Sequence, residues 1–117
     1  MSLQTKLSNV YSTLAAVEGL KCYHYFAPSE TVIPYAVWYE DGEEGGFQAD
    51  SHKAEQAFGG YLDYYTKTEF DSMCDTIQTT LNSIEGLSFV YESVIYGDPT
   101  HDNNNTIHHV WRWWVYG

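Results

Sequence analysis

Apolar residues recur along the start of the chain at the spacing of a helix stripe. Leu3, Leu7, Val10, Leu14 and Val17 follow one another at steps of four, three, four and three, which places them on one face of a helix of about four and a half turns. Ser2 is suited to cap its start. Gly19 stands where a left-handed residue ends a helix, with Leu20 folding back toward Leu14. A second stripe runs through Phe70, Met73, Ile77, Leu81 and Ile84, with Thr68 at the N-cap and Asp71 where a capping box places an acid. It closes on Glu85-Gly86-Leu87, echoing Glu18-Gly19-Leu20; shared capping chemistry accounts for the echo better than an internal repeat does.

Between and after these stripes the pattern changes to that of strands. Val32 to Glu40 is rich in β-branched and aromatic residues, with Pro34 suited to an edge or to the first paired position. In Phe58 to Lys67, Tyr61, Asp63 and Tyr65 alternate with Leu62, Tyr64 and Thr66, so one face carries the acid and the other carries Leu62. Ser88 to Tyr96 and Thr106 to Tyr116 form a hairpin whose connection, Gly97 to Asn105, consists almost wholly of turn-forming residues. The expected fold is α+β: two helices packed on one face of a four- to five-stranded, mainly antiparallel sheet, in the order α-β-β(-β)-α-β-β. At 117 residues this is one domain, residues 1–117.

The last strand departs from the usual alternation. Trp111, Trp113 and Val115 share one face, while Val110, Arg112, Trp114 and Tyr116 share the other, so both faces are aromatic. Such a strand is expected to be covered on both sides, by the helices on one and by a partner subunit on the other. Trp111, Arg112, Trp113, Trp114 and Tyr116 are therefore candidate interface residues. The alternative is a carbohydrate-binding module in which Trp111, Trp113 and Trp114 stack on sugar rings.

Composition narrows the function further. Sixteen acidic residues against five basic ones give a formal charge of −11, the wrong sign for gripping a phosphate backbone. Specific nucleic-acid binding is not expected. No run of 18 or more apolar residues suggests a membrane span, and Met1 to Val10 has neither a basic n-region nor a long apolar stretch; synthesis in the cytoplasm is expected. Cys22 and Cys74 are too few and too far apart for a disulfide framework or a zinc knuckle.

Candidate chemistry is sparse. Asp98, Thr100, Asp102 and Asn104 fall at every second position, but an EF-hand frame from Asp98 puts Asn103 where Gly is required and His109 where Glu is required. Of the five histidines, His108 and His109 are adjacent in a strand and point to opposite faces. Neither cysteine lies in a nucleophile signature, and no Gly-x-Ser-x-Gly elbow or phosphate-cradling loop is present. No catalytic residue, metal ligand or cofactor is expected. The segment from Glu40 to Asp50 stands out instead, with Glu40, Asp41, Glu43, Glu44, Asp50 and no basic residue until Lys53. It reads as an assembly or channel loop, or as a solvated hairpin loop.

Several stretches resemble small phage and prophage proteins of the tail-completion, head-tail joining group. They are Pro34-Tyr35-Ala36-Val37-Trp38-Tyr39-Glu40-Asp41-Gly42, Ala49-Asp50 with Lys53-Ala54-Glu55-Gln56, Asp63-Tyr64-Tyr65-Thr66-Lys67 leading into Glu69-Phe70-Asp71, and Trp111-Arg112-Trp113. The resemblance spans roughly residues 22 to 114 and rests on strand and turn patterns. It implies a non-enzymatic minor structural subunit of the virion neck, made in the bacterial cytoplasm. It further implies a tail-terminator-like ring, perhaps of six copies, meeting tail-tube or head-connector proteins while DNA passes through. On this reading the acidic loop lines the channel, where like charge keeps DNA from sticking.

Overall fold

The structure, a computed structural model, describes residues 3–44, 48–49, 52–53, 57–97 and 105–116; for residues 3, 43, 44, 48, 49, 52 and 53 it describes the backbone alone. The leucine-valine stripe forms helix α1, Leu3–Ala15, and the second stripe forms α2, Met73–Ser83. The strands are β1 (Cys22–His24), β2 (Tyr35–Glu44), β3 (Gln48–Ala49), β4 (His52–Lys53), β5 (Ala57–Thr66), β6 (Leu87–Tyr96) and β7 (Ile107–Tyr116). One sheet has the order β1-β2-β5-β7-β6, and β3 pairs with β4 in a separate two-stranded ribbon.

The expected α+β class holds, with two helices and a five-stranded sheet. The sheet is mixed, because β1 runs parallel to β2 while the other pairings are antiparallel. Sequence patterning missed β1: three residues are too short to display alternation, and their parallel pairing with β2 is flanked by the Ala36 N–H donating to Lys21 O and the Tyr25 N–H donating to Trp38 O. Pro34 lies just before the first residue of β2, where its missing N–H breaks no ladder bond.

Both helix boundaries move inward. α1 stops at Ala15, although Gly19 does adopt the left-handed conformation expected of it, with φ +81°. At α2 the expectation fails in an informative way. Thr68 does not cap the helix, because α2 begins only at Met73; its own N–H donates to Thr66 Oγ1. Phe70 is not in the core stripe either; it sits outside the helix at φ +53° and is 97% exposed. The carboxylate of Asp71 takes the capping role, Oδ1 accepting from the Met73 N–H at 2.9 Å.

One face of the sheet is buried beneath the helices. Leu7, Val10 and Leu14 of α1 and Ile77, Leu81 and Ile84 at α2 close over Ala36, Trp38, Leu62, Tyr64, Trp111, Trp113 and Val115. Trp38, Trp111 and Trp113 are almost wholly buried, each contributing about 4–6 kcal/mol of gross burial energy at 25 cal/mol/Å². Trp113 meets Trp38 edge-on at 6.0 Å between ring centroids, and its Nε1 is buried without a hydrogen-bond partner, so packing alone fixes it.

That packing requires Gly60. A Cβ at this position would stand 1.9 Å from Tyr39 O and 2.5 Å from Trp113 Cζ2, so the neighbouring strand and the indole occupy the space of any side chain. The strand register slips beside it, between Glu40 and Gly42. Gly60→Ala is therefore expected to destabilise the chain by at least about 3 kcal/mol in urea unfolding, because a backbone carbonyl cannot yield as a side chain can. A loss below about 1 kcal/mol would show that the indole is not seated on the glycine.

Candidate assembly surfaces

The alternation that buries Trp111 and Trp113 turns Val110, Arg112 and Trp114 to the other side of the sheet, where neither helix lies. Cross-strand register arranges this outer face in rungs. Tyr35, Tyr65, His108 and Ile95 form one; Val37, Asp63, Val110 and Ser93 the next; Tyr39, Tyr61, Arg112 and Val90 the third. Within the first, the Tyr35 and Tyr65 rings lie 5.0 Å apart and His108 stacks on Tyr65 at 4.4 Å. His108 Nε2 also lies 2.9 Å from Asp63 Oδ1, which joins the first rung to the second.

Arg112 organises the third rung. Its guanidinium lies 4.7 Å from the ring centre of Tyr61 and 5.7 Å from that of Trp114. Nη1 donates to Asp41 Oδ2 at 3.0 Å and to the carbonyl of Gly60 at 3.2 Å. Asp41, expected in a repulsive loop, is thus paired within the chain. Glu40 is paired too, on the helix side: His24 Nε2 lies 2.9 Å from its Oε2, and the His24 ring stacks on Trp38 at 4.0 Å. Glu43 and Glu44 continue the β2 backbone and Lys53 belongs to β4, with their side chains outside the described atoms; Asp50 lies outside the described residues. The field on the outer face is still negative. The Glu92 carboxylate, with smaller contributions from burial, Asp41 and Asp63, pushes the Tyr61 phenol up.

Of the five strand-face candidates, Trp111 and Trp113 lie in the core, whereas Arg112 and Trp114, both half-buried among the outer-face side chains, and Tyr116, exposed, lie on the other side. Only one of the three tryptophans considered for sugar stacking therefore faces outward. Sequence reading missed the tyrosines of β2 and β5 as members of the same surface. The alternation through Tyr61, Asp63 and Tyr65 was visible, but the register aligning them with Arg112 and His108 was not.

β6 adds a second surface. It closes the sheet, pairing with β7 alone among the described strands, and runs for ten residues with one charged side chain, Glu92, at the register shift. Val90, Tyr91, Ile95 and Tyr96 are between 42% and 71% exposed. A long edge with few charges and no proline presents unpaired backbone groups to another strand.

Beneath β6, on the helix face, Asp71 holds a compact polar cluster. Tyr64 Oη and Thr66 Oγ1 each donate to its Oδ2 at 2.7 Å, beside the helix cap on Oδ1. Burial alone would raise the carboxyl, but the hydrogen bonds from Thr66, the Met73 N–H and Tyr64 outweigh it and hold it below its ordinary value. Nearby, Tyr91 Oη and His109 Nδ1 are 2.7 Å apart, and burial pushes the His109 imidazole down against the pull of Asp71. Burial likewise pushes the thiols of Cys22 and Cys74 up, to about 12 and about 11, so neither is an activated nucleophile at neutral pH. Among the described residues no group of three histidine, cysteine or carboxylate side chains is placed to hold a metal ion. No helix among them is long and apolar enough to cross a membrane.

No protein-family model matches the chain, and no curated protein does.

The Asp71 cluster has a pH signature. A carboxyl that titrates lower in the folded chain than in the unfolded one gives its full contribution above about pH 5, and that contribution is lost as pH falls below about 4. Asp71→Ala also strands the buried Tyr64 and Thr66 hydroxyls. It is expected to lower unfolding stability by about 2–3 kcal/mol at pH 7, with the deficit narrowing at pH 3. A deficit independent of pH in chemical denaturation would contradict the ionised cap.

Proposed function

We propose that this chain is a non-enzymatic structural subunit of a bacteriophage or prophage virion, a tail-completion or head-tail joining protein that works in an oligomeric ring at the neck. The observation that carries the assembly part is the half-covered sheet. Two helices cover one face, while the other presents Tyr39, Tyr61, Arg112 and Trp114 beside a ten-residue edge strand. Surfaces of this kind are buried by neighbours in closed rings, where one modest contact repeats around the assembly. The virion part is supported by the resemblance of residues 22 to 114 to the tail-completion group.

In such a ring the outer face, with Val90 and Ile95 of β6, forms the subunit contacts and leaves the backbone edge of β6 open, and the Glu40–Asp50 segment contributes negative charge. Asp41 and Glu40 act first as partners of Arg112 and His24, so any role of that segment in repelling DNA falls to Glu43, Glu44 and Asp50.

Val90 and Ile95 are exposed, so Val90→Lys with Ile95→Lys is expected to leave the thermal midpoint within a few degrees of the parent. The parent chain is expected to form a higher-mass species with its virion partners in light scattering, and the same variant is expected to abolish it. In a lysogen, deleting the gene should yield filled heads and tails that fail to join. Joined, infectious particles lacking the chain would refute the proposal.

A further inference from the structure

A cleft of about 440 Å³ opens between the N-terminal half of α2 and the helix-side face of β6 and β7. We infer that it receives an extended segment of a different protein, one that presents a lysine or arginine side chain among apolar neighbours. The inference deepens the assembly reading by giving the chemistry of one partner.

Three features of the cleft carry it. Its walls are aromatic and open: Phe70 is 97% exposed, Tyr96 71% and Tyr91 45%, with Trp111 at the base. Phe70 is also held in the left-handed region, which bulky residues rarely occupy and which tends to mark functional sites. Second, Glu69, Asp71 and Asp75 line it, and no lysine or arginine is among its described lining residues. His109 does not supply the missing cation at neutral pH, since burial pushes its imidazole down. Third, the chain already shows what this combination binds. On the outer face, aromatic rings and a carboxylate hold the guanidinium of Arg112 between Tyr61 and Trp114, beside Asp41. The cleft repeats those parts, and its described lining holds no lysine or arginine.

Its position favours a peptide over a free small cation. Tyr91 and Tyr96 belong to β6, whose outer edge is free to add a strand, so an extended segment paired there would set alternate side chains toward the cleft. A second copy of this chain is a poor occupant. It carries −11 overall, and of its five basic residues Arg112 is engaged with Asp41, Lys6 is buried and Lys21 Nζ donates to Val32 O, which leaves Lys67, exposed just after β5, and Lys53 to set against that charge. Charge complementarity points to a basic partner protein.

The test is selection from a library of terminally blocked octapeptides, followed by fluorescence polarisation with the best binder. The parent chain should enrich arginine or lysine flanked by apolar residues. Phe70→Ala, and Glu69→Gln with Asp75→Asn, alter exposed side chains and should each weaken binding at least tenfold with an unchanged circular dichroism spectrum. The carboxylate variant should also flatten the salt dependence. The inference is overturned if basic residues are not enriched, if both variants bind within twofold of the parent, or if n-butylguanidinium competes as well as the peptide. Self-assembly without basic selection would sink this inference alone. Basic selection by a chain that never enters a higher-mass species would instead remove the ring reading and leave the inference standing.

Discussion

The indole of Trp113 rests on the backbone of Gly60, and the rest of the molecule is arranged around that contact. No side chain fits between them, since a Cβ would fall 1.9 Å from Tyr39 O. The indole therefore reaches Trp38, and both rings lie under the stripes of α1 and α2. Beside the glycine the register of β2 slips between Glu40 and Gly42, and on the opposite side the Gly60 carbonyl accepts from Arg112. One residue without a side chain thus supports the core on one face and the ordered cation on the other.

The outer face follows from the same constraint. A strand has a period of two, so burying Trp111 and Trp113 obliges Val110, Arg112 and Trp114 to project away from the helices. Both described helices lie on a single side of the sheet. What remains is a ladder of tyrosines, a histidine-aspartate contact and a clamped guanidinium, bordered by a long edge strand. On the helix side, burial pushes the thiols of Cys22 and Cys74 up, and Tyr91 engages His109. The outer-face groups form a surface with aromatic area and directed hydrogen bonds, on which the proposed association rests.

Much of the fold could be read from the sequence because periodicity is local. The stripes through Leu7, Val10 and Leu14, and through Ile77 and Leu81, formed helices, and the alternation in β5 correctly turned Leu62 and Tyr64 inward. Features set by distant partners could not be read in this way. β1 exists because its three residues meet β2, and Asp41 is removed from the acidic loop by an arginine 71 positions away. Phe70 misled because its spacing fits the α2 stripe, while the capping carboxylate of Asp71 starts the helix later and leaves the ring in solvent. The aromatic character of both faces of β7 was evident at once. Which of its rings were available was fixed only by the position of the helices.

Association through the uncovered side of the sheet is the central claim, and amide hydrogen exchange on β6 tests it most directly. Across a concentration series, or on assembled against dilute chain, β6 amides should slow at least tenfold in the assembled form while those of α1 exchange at the same rate. Equal β6 exchange in monomeric and assembled samples would contradict the account.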